Sequence, residues 1–183
     1  MRVIAGTARS LPLKAPEGMG TRPTTDRIKE TLFNMLQPYI GDGIFVDVFS
    51  GSGGIGIEAL SRGAAKAYFI ENDRRAVKCI QENLRFTRLE DKAVLLNQDA
   101  SAAFWQVKEK VVDVIFMDPP YDNGLERQVM EAIKDRDFIT EDTLIVIEAS
   151  LNTDFSWVEE YGFRITKEKR YKTNKHMFIR RNA

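Results

Sequence analysis

Two short segments of this 183-residue chain combine residue types that can hold a ligand and act on it. In Asp47-Val-Phe-Ser-Gly-Ser-Gly-Gly-Ile-Gly56, the glycines at 51, 53 and 56 have the spacing that permits a tight turn and close approach of backbone N–H groups to a ligand at a helix start. The apolar run Gly43 to Phe49 leads into it as a strand would. Alone, this pattern serves equally as an ordinary strand-to-helix turn. Glu71 adds to it by ending the next apolar run, Ala67 to Ile70, 20 residues after Gly51, where a carboxylate can accept both hydroxyls of a ribose. That spacing suits a nicotinamide dinucleotide and S-adenosylmethionine equally well.

The second segment, Asp118-Pro-Pro-Tyr121, separates those two options. Val111 to Met117 runs as a strand straight into an acid, two prolines and an aromatic ring. Each proline fixes its own φ and restricts the residue before it, so Asp118, the nearby carbonyls and the Tyr121 ring are held in one arrangement. Hydrogen-bond acceptors beside a flat ring suit an amino-bearing heterocycle. A simple Pro-Pro turn needs neither the leading acid nor the trailing aromatic.

Composition limits what else the chain can do. At 43% hydrophobic and 30% charged residues it has the profile of a soluble globular protein, and no apolar run approaches a membrane span. Arg2 and Arg9 flank only a very short apolar stretch before Pro12, unlike a signal peptide, so the expectation is a cytoplasmic protein. One cysteine, Cys79, lies at helical spacing with Ala76, Ile80 and Leu84 and is expected to pack in the core. One histidine, His176, argues against a multi-histidine metal site and against Ser-His or Cys-His catalysis; no metal is expected. The formal charge is zero but uneven: +3 over residues 1–35, +7 over 164–183 and −10 between them. Basic ends suit a phosphate backbone, or else form a solvated face. The acidic middle, with Asp47, Glu71, Asp99 and Asp118 at predicted strand ends, suits a cationic sulfonium better than an anionic pyrophosphate.

The elements that must position these residues alternate along the chain. Arg2 to Lys14 reads as a hairpin around Gly6, and a helix capped by Thr24, Thr25 or Asp26 carries Ile28, Leu32, Met35 and Leu36 and stops before Pro38. Strands are predicted near 44–49, 66–71, 93–97, 111–117 and 143–149, with helices near 55–62, 73–86, 100–109 and 124–134. Arg164 to Thr166 and His176 to Arg180 complete seven strands. The fold class is therefore α/β, a doubly wound, mainly parallel seven-stranded sheet with an N-terminal hairpin and helix extension. In such sheets ligands bind beyond the carboxyl ends of the strands, where all the residues above fall.

Asp-Pro-Pro-Tyr after the fourth strand, with acid-x-Phe-x-Gly-x-Gly after the first, resembles the S-adenosylmethionine-dependent methyltransferases that act on exocyclic amino nitrogens, whose fold is Rossmann-like. Arg22-Pro-Thr-Thr-Asp-Arg-Ile-Lys-Glu-Thr-Leu-Phe-Asn34, Arg2-Val-Ile-Ala-Gly6 and Ile57-Glu-Ala-Leu-Ser-Arg-Gly63 narrow the resemblance to the bacterial 16S ribosomal RNA guanine-N2 methyltransferases of the RsmD type, over nearly the whole chain. The chain departs from that type at Arg9-Ser10, where an Arg-Gly pair is usual, and at Tyr171-Lys172, where Tyr-Gly is usual. The resemblance implies one domain over 1–183, with residues 1–40 as the extension and 41–183 as the catalytic core. It also implies a catalytic corner of Asp118, Pro119, Pro120 and Tyr121. The S-adenosylmethionine site would comprise Arg22, Thr24 and Arg27 on the methionine portion, with Asp47, Phe49, Gly51, Gly53 and Gly56 around the turn. Glu71 and Asn72 would lie at the ribose, and Asp99 and Ala100 at the adenine. The implied partner is 16S rRNA in the small ribosomal subunit. DNA adenine, another RNA purine or a protein glutamine are the alternative substrates; a nicotinamide oxidoreductase leaves Asp118 to Tyr121 unexplained.

Overall fold

Runs of Val, Ile, Phe and Ala too continuous for a one-faced sheet demand cover on both sides, and the chain supplies it. The computed structural model describes residues 1–18 and 24–183. Strands β1 (Ile44–Val48), β2 (Lys66–Ile70), β3 (Ala93–Leu96), β4 (Val114–Met117), β5 (Leu144–Ser150), β6 (Phe163–Arg170) and β7 (Asn174–Arg181) form one sheet in the order β3-β2-β1-β4-β5-β7-β6. The first five are parallel, and β7 and β6 add antiparallel at one edge. Helices α1 (Asp26–Ile40), α2 (Gly54–Ser61), α3 (Arg74–Thr87), α4 (Ala100–Ala103) and α5 (Leu125–Ile133) cover its faces.

Because successive strand residues point to opposite faces, each strand feeds two cores. Phe45, Val114, Phe116 and Val146 pack on one side with Leu32, Phe33, Ile57, Leu60, Ile80 and Leu84 of α1, α2 and α3. Val46, Val48, Ile115 and Met117 pack on the other with Ala103, Val129, Met130 and Ile133 of α4 and α5. Cys79 is buried, as its helical spacing suggests.

The structure corrects several boundaries. α1 continues through Pro38 to Ile40. Proline there forfeits one hydrogen bond in the last turn, while Leu36 and Ile40 are buried and hold that turn in place. The helix expected over 100–109 is one α turn followed by a 3-10 turn, Phe104–Gln106. β4 begins at Val114, because the Asp113 side chain takes the Ile44 amide at 2.8 Å and Val111 is exposed. β6 and β7 are longer than predicted, with a register shift between Ile165 and Lys167. The N-terminal hairpin is closed by backbone bonds from Val3 to Leu11 (3.0 Å), Ser10 to Val3 (2.9 Å) and Leu13 to Met1 (2.9 Å) around the Arg2 to Pro12 bridge, without named strands. It is also fastened to α2: Glu58 accepts the Ile4 amide at 2.8 Å, and Ser61 accepts the Ala8 amide at 2.9 Å through its hydroxyl. Among the described residues no helix is long and apolar enough to cross a membrane.

Candidate active site

Strand order reverses at β1, which has β2 on one side and β4 on the other. Val48 and Met117 are register partners, so the segments leaving β1 and β4 emerge side by side at the switch point of the sheet. The glycine turn and Asp118-Pro-Pro-Tyr121 are thereby neighbours in space although about 70 residues apart in sequence.

The turn after β1 is built from unusual backbone. Phe49 (φ 60°), Gly51 (φ 57°) and Gly53 (φ 81°) are all left-handed. For a phenylalanine that conformation carries strain of roughly 1–3 kcal/mol, the kind of cost found where backbone must be aimed. Several bonds hold the turn in place. The Ser50 amide reaches the Ile70 carbonyl at 3.0 Å, and the Glu71 carboxylate accepts both the Gly51 amide (2.9 Å) and the Asp73 amide (3.0 Å). Asp47, 1% exposed, accepts the Gly56 amide at 2.9 Å. Burial pushes the Asp47 carboxyl well above the usual carboxylate range, and the Glu71 charge pushes the same way. The three glycines do different work. A Cβ on Gly51 would meet nothing within 4 Å, whereas one on Gly56 would sit 2.4 Å from the Phe69 ring. Gly56 is thus required by helix-to-strand packing, and Gly51 by backbone conformation beside open space.

Across the switch point, Asp118 is partly buried, and its amide reaches toward the Val48 carbonyl at 3.4 Å. Burial raises its pKa well above the usual range, with Glu148 and then Asp47 adding repulsion. The Tyr121 ring is 40% exposed, and its hydroxyl donates to Glu148 Oε1 at 3.2 Å. Four carboxylates, Asp47, Glu71, Asp118 and Glu148, therefore gather at the carboxyl ends of the strands. Among the described residues none of them is paired with a lysine or arginine. A cationic ligand fits that donor set, and an anionic one does not.

The chain is similar to known proteins. The family described as conserved hypothetical protein 95 matches residues 1–180. The chain belongs to that family. It is 38% identical over 151 residues to ribosomal RNA small subunit methyltransferase D of Escherichia coli (strain K12), covering 82% of this chain and 75% of the relative. The enzyme of the same name from Haemophilus influenzae is 34% identical over 171 residues, covering 92% and 88%. Among solved structures, yhhF from Escherichia coli superposes with a TM-score of 0.83 at 34% identity, covering 100% of this chain and 98% of that one. At 15% identity, precorrin-6y C5,15-methyltransferase from Geobacter metallireducens shares the fold alone, with a TM-score of 0.71 over 90% of this chain and 92% of that one.

Of the remaining residues that the family resemblance implies, those described fall at the start of α1, beside Glu71 and at the start of α4. Arg22 lies outside the described residues. Thr24 is half-buried and Arg27 exposed at the start of α1, where Thr25 is the cap, and no hydrogen bond among the described residues joins either to the glycine turn. The start of α1 is tied to the N-terminal segment by the Arg2–Asp26 pair, and Met1 of that segment reaches Ser52 of the turn. Asn72 is exposed beside Glu71; Asp99 caps α4 through the Ser101 amide at 3.2 Å, and Ala100 is buried. The sequence reading missed Glu148, Asn174 and the role of His176. Asn174 donates to Glu148 at 3.1 Å, and His176 Nε2 lies 3.0 Å from the other Glu148 oxygen. A charged residue inside the apolar run Leu144 to Ala149 was the one available signal.

Proposed function

We propose that the protein transfers the methyl group of S-adenosylmethionine to the exocyclic N2 amino group of a guanine in 16S rRNA of the small ribosomal subunit. The observation that carries this reading is the placement of the glycine turn beside Asp118-Pro-Pro-Tyr121 at the β1/β4 switch point, inside a cluster of carboxylates unpaired with any described basic side chain. The names of the family's characterised members supply the RNA class.

Glu71 would accept the ribose hydroxyls, Asp99 would take the adenine amino group, and the start of α1 with the glycine turn would take the methionine portion. Bound there, S-adenosylmethionine supplies an electrophilic methyl group, and displacement at it needs no protein nucleophile. The chain's contribution is alignment and exclusion of water. Asp118 and a neighbouring carbonyl accept the two amino N–H groups of the base, which localises the nitrogen lone pair. The Tyr121 ring offers an exposed face for stacking, worth about 1–3 kcal/mol per base. Once the nitrogen has gained a methyl it must lose a proton, and a carboxylate whose pKa is raised by burial and by Glu148 is a competent acceptor. A stacked base must first be extruded, at a cost of a few kcal/mol, and RNA loops with splayed bases lower that cost.

The test is methyl transfer from labelled cofactor to naked 16S rRNA, to small-subunit particles and to DNA, with the modified nucleoside identified. Label in N2-methylguanosine supports the reading. Label in an adenine, or none in either RNA form, overturns it. Calorimetry with S-adenosylmethionine and with NAD checks the cofactor separately.

A further inference from the structure

Behind the exposed Tyr121 ring lies a buried polar cluster in which Glu148 has so far figured only as a charge beside Asp118. Glu148 of β5 and His176 of β7 are directly opposed in the antiparallel ladder, and their side chains meet at 3.0 Å. His176 is 0% exposed, and its ring is wedged edge-on between Phe116 (centroids 6.0 Å apart) and Tyr171 (5.1 Å). Phe116 belongs to β4, the strand that leads into Asp118, so the imidazole packs directly against the element that positions the corner. His176 Nδ1 has no partner among the described residues, and Nε2 is the donor toward Glu148, because a carboxylate oxygen can only accept. Asn174 donates to the oxygen of Glu148 that also accepts the Tyr121 hydroxyl, at 3.1 and 3.2 Å respectively. Glu148 therefore has one oxygen fixed by His176 and the other shared between Asn174 and the phenol. A fully partnered buried carboxylate of this kind is stiff, because any rotation breaks several hydrogen bonds in a low-dielectric setting.

We propose that Glu148, clamped by His176 and Asn174, is a positioning residue that holds the Tyr121 ring at the angle at which the target base stacks over Asp118. The phenolic hydroxyl is then an anchor for the ring and takes no part in proton transfer. The inference rests on the methyl-transfer reading for its kinetic consequence, and on geometry alone for the anchoring itself.

Two measurements test it. The first is a kinetic cycle. Glu148→Ala is expected to lower kcat tenfold or more while cofactor Kd stays within twofold, because misplacing the base without disturbing the cofactor costs turnover. Glu148→Gln keeps an oxygen facing the phenol and is expected to recover most of that loss. In a Tyr121→Phe background, where the anchor is already gone, Glu148→Ala is expected to add less than a twofold further loss. Multiplicative losses overturn the proposal, as does a loss of kcat accompanied by a parallel loss of cofactor affinity and melting temperature. The second is the ring resonance of Tyr121 in tyrosine-labelled protein, assigned through Tyr121→Phe. It is expected to shift and to average in Glu148→Ala and to hold in Glu148→Gln; an unmoved resonance overturns the anchoring. Wild-type protein that methylates no ribosomal RNA would instead overturn the function proposed above, while the resonance still decides the role of Glu148.

Discussion

The Asp47 carboxylate accepts the Gly56 amide at 2.9 Å, tying the end of β1 to the first turn of α2 across the glycine turn. That bond holds the helix start close to the sheet, where two similar glycines, Gly51 and Gly56, respond differently to substitution. Gly56→Ala drives a methyl group into the Phe69 ring, and overpacking of this order costs about 1–3 kcal/mol or more. Gly51→Ala meets no atom, and its cost is the left-handed backbone at φ 57°, about 1–2 kcal/mol. The expected outcome is a Gly56→Ala protein that melts early or fails to fold. Gly51→Ala is expected to stay folded with weakened cofactor binding, and the checks are thermal melting and calorimetry.

Glu71 holds two backbone amides and, in the proposed function, also the ribose hydroxyls, so its removal acts twice. Glu71→Ala is expected to weaken S-adenosylmethionine binding by about 1.5–3 kcal/mol, the worth of a hydrogen bond to a charged acceptor. It also frees the Gly51 and Asp73 amides, so the melting temperature of the ligand-free protein should fall too. Glu71→Gln keeps one acceptor and should fall between. Unchanged affinity in calorimetry would remove Glu71 from the site.

How much of this was legible in the sequence depends on distance along the chain. The strand-turn-helix after β1 and the stiff corner after β4 carry local signatures, glycine spacing in one case and paired prolines in the other, and both stand where they were expected. Their adjacency followed from topology, since an alternating βα chain must reverse its strand order somewhere. Glu148, Asn174 and His176 were not legible as a unit. Their meeting depends on the antiparallel register of β5 with β7, which no local pattern encodes, and a lone histidine gave no reason to look for its partner. The fate of Pro38 and of the helix after Asp99 was likewise decided by packing over local propensity. The roles of Gly51 and Gly56 separated only once the Phe69 ring was in place.

Asp118 gives a pH-dependent stability. Burial first, then the charges of Glu148 and Asp47, raise its pKa in the folded chain. A carboxyl that holds its proton more tightly when folded contributes most below its unfolded pKa of about 3.9, and that contribution is lost as pH rises through the folded value. Asp118→Asn keeps the shape and removes the ionisation. The variant should therefore melt above wild type at pH 8, with the gain shrinking as pH falls toward 4; each ~1 kcal/mol corresponds to about 2–4 °C for a chain of this size. Methyl transfer should collapse in the same variant. A melting difference that stays constant across that range would mean Asp118 ionises as readily folded as unfolded.

Ser10 occupies a left-handed position at φ 69° in the loop closed by the Arg2 to Pro12 bridge, a conformation that favours glycine. Ser10→Gly relieves the conformation at some cost in unfolded-chain entropy, for an expected net gain of about 0.5–1 kcal/mol. The denaturant midpoint should rise at constant slope. Gly6→Ala is the opposing control, because its Cβ would lie 1.8 Å from the Ser61 carbonyl oxygen and would lift the segment off α2.

The basic carboxy-terminal strands divide into residues that can reach RNA and residues that hold the sheet. Lys175 is buried, donates to the Thr153 carbonyl at 2.9 Å and lies 3.5 Å from Glu168, while Arg170 pairs with Glu168 at 3.0 Å. Lys167 and Lys172 are exposed and make no ion pair among the described residues, and Lys169 lies over the Tyr171 ring at 5.9 Å. Tyr171 to Thr173 connect β6 to β7 at the end of the sheet where Glu148 and Asn174 back the site. We infer that Lys167, Lys169 and Lys172 supply the phosphate contacts. β6 is also an edge strand, and lysines on such an edge discourage pairing with other chains whether or not they touch RNA. Salt dependence separates these roles. Changing Lys167, Lys169 and Lys172 to Gln should reduce the slope of log affinity against log salt by roughly 0.7 for each lost contact with single-stranded RNA, with melting unchanged. Lys175→Gln should do the reverse, lowering the melting temperature and leaving the slope alone. If all three substitutions together leave the slope unaltered, the charge run serves only to keep a sheet edge soluble.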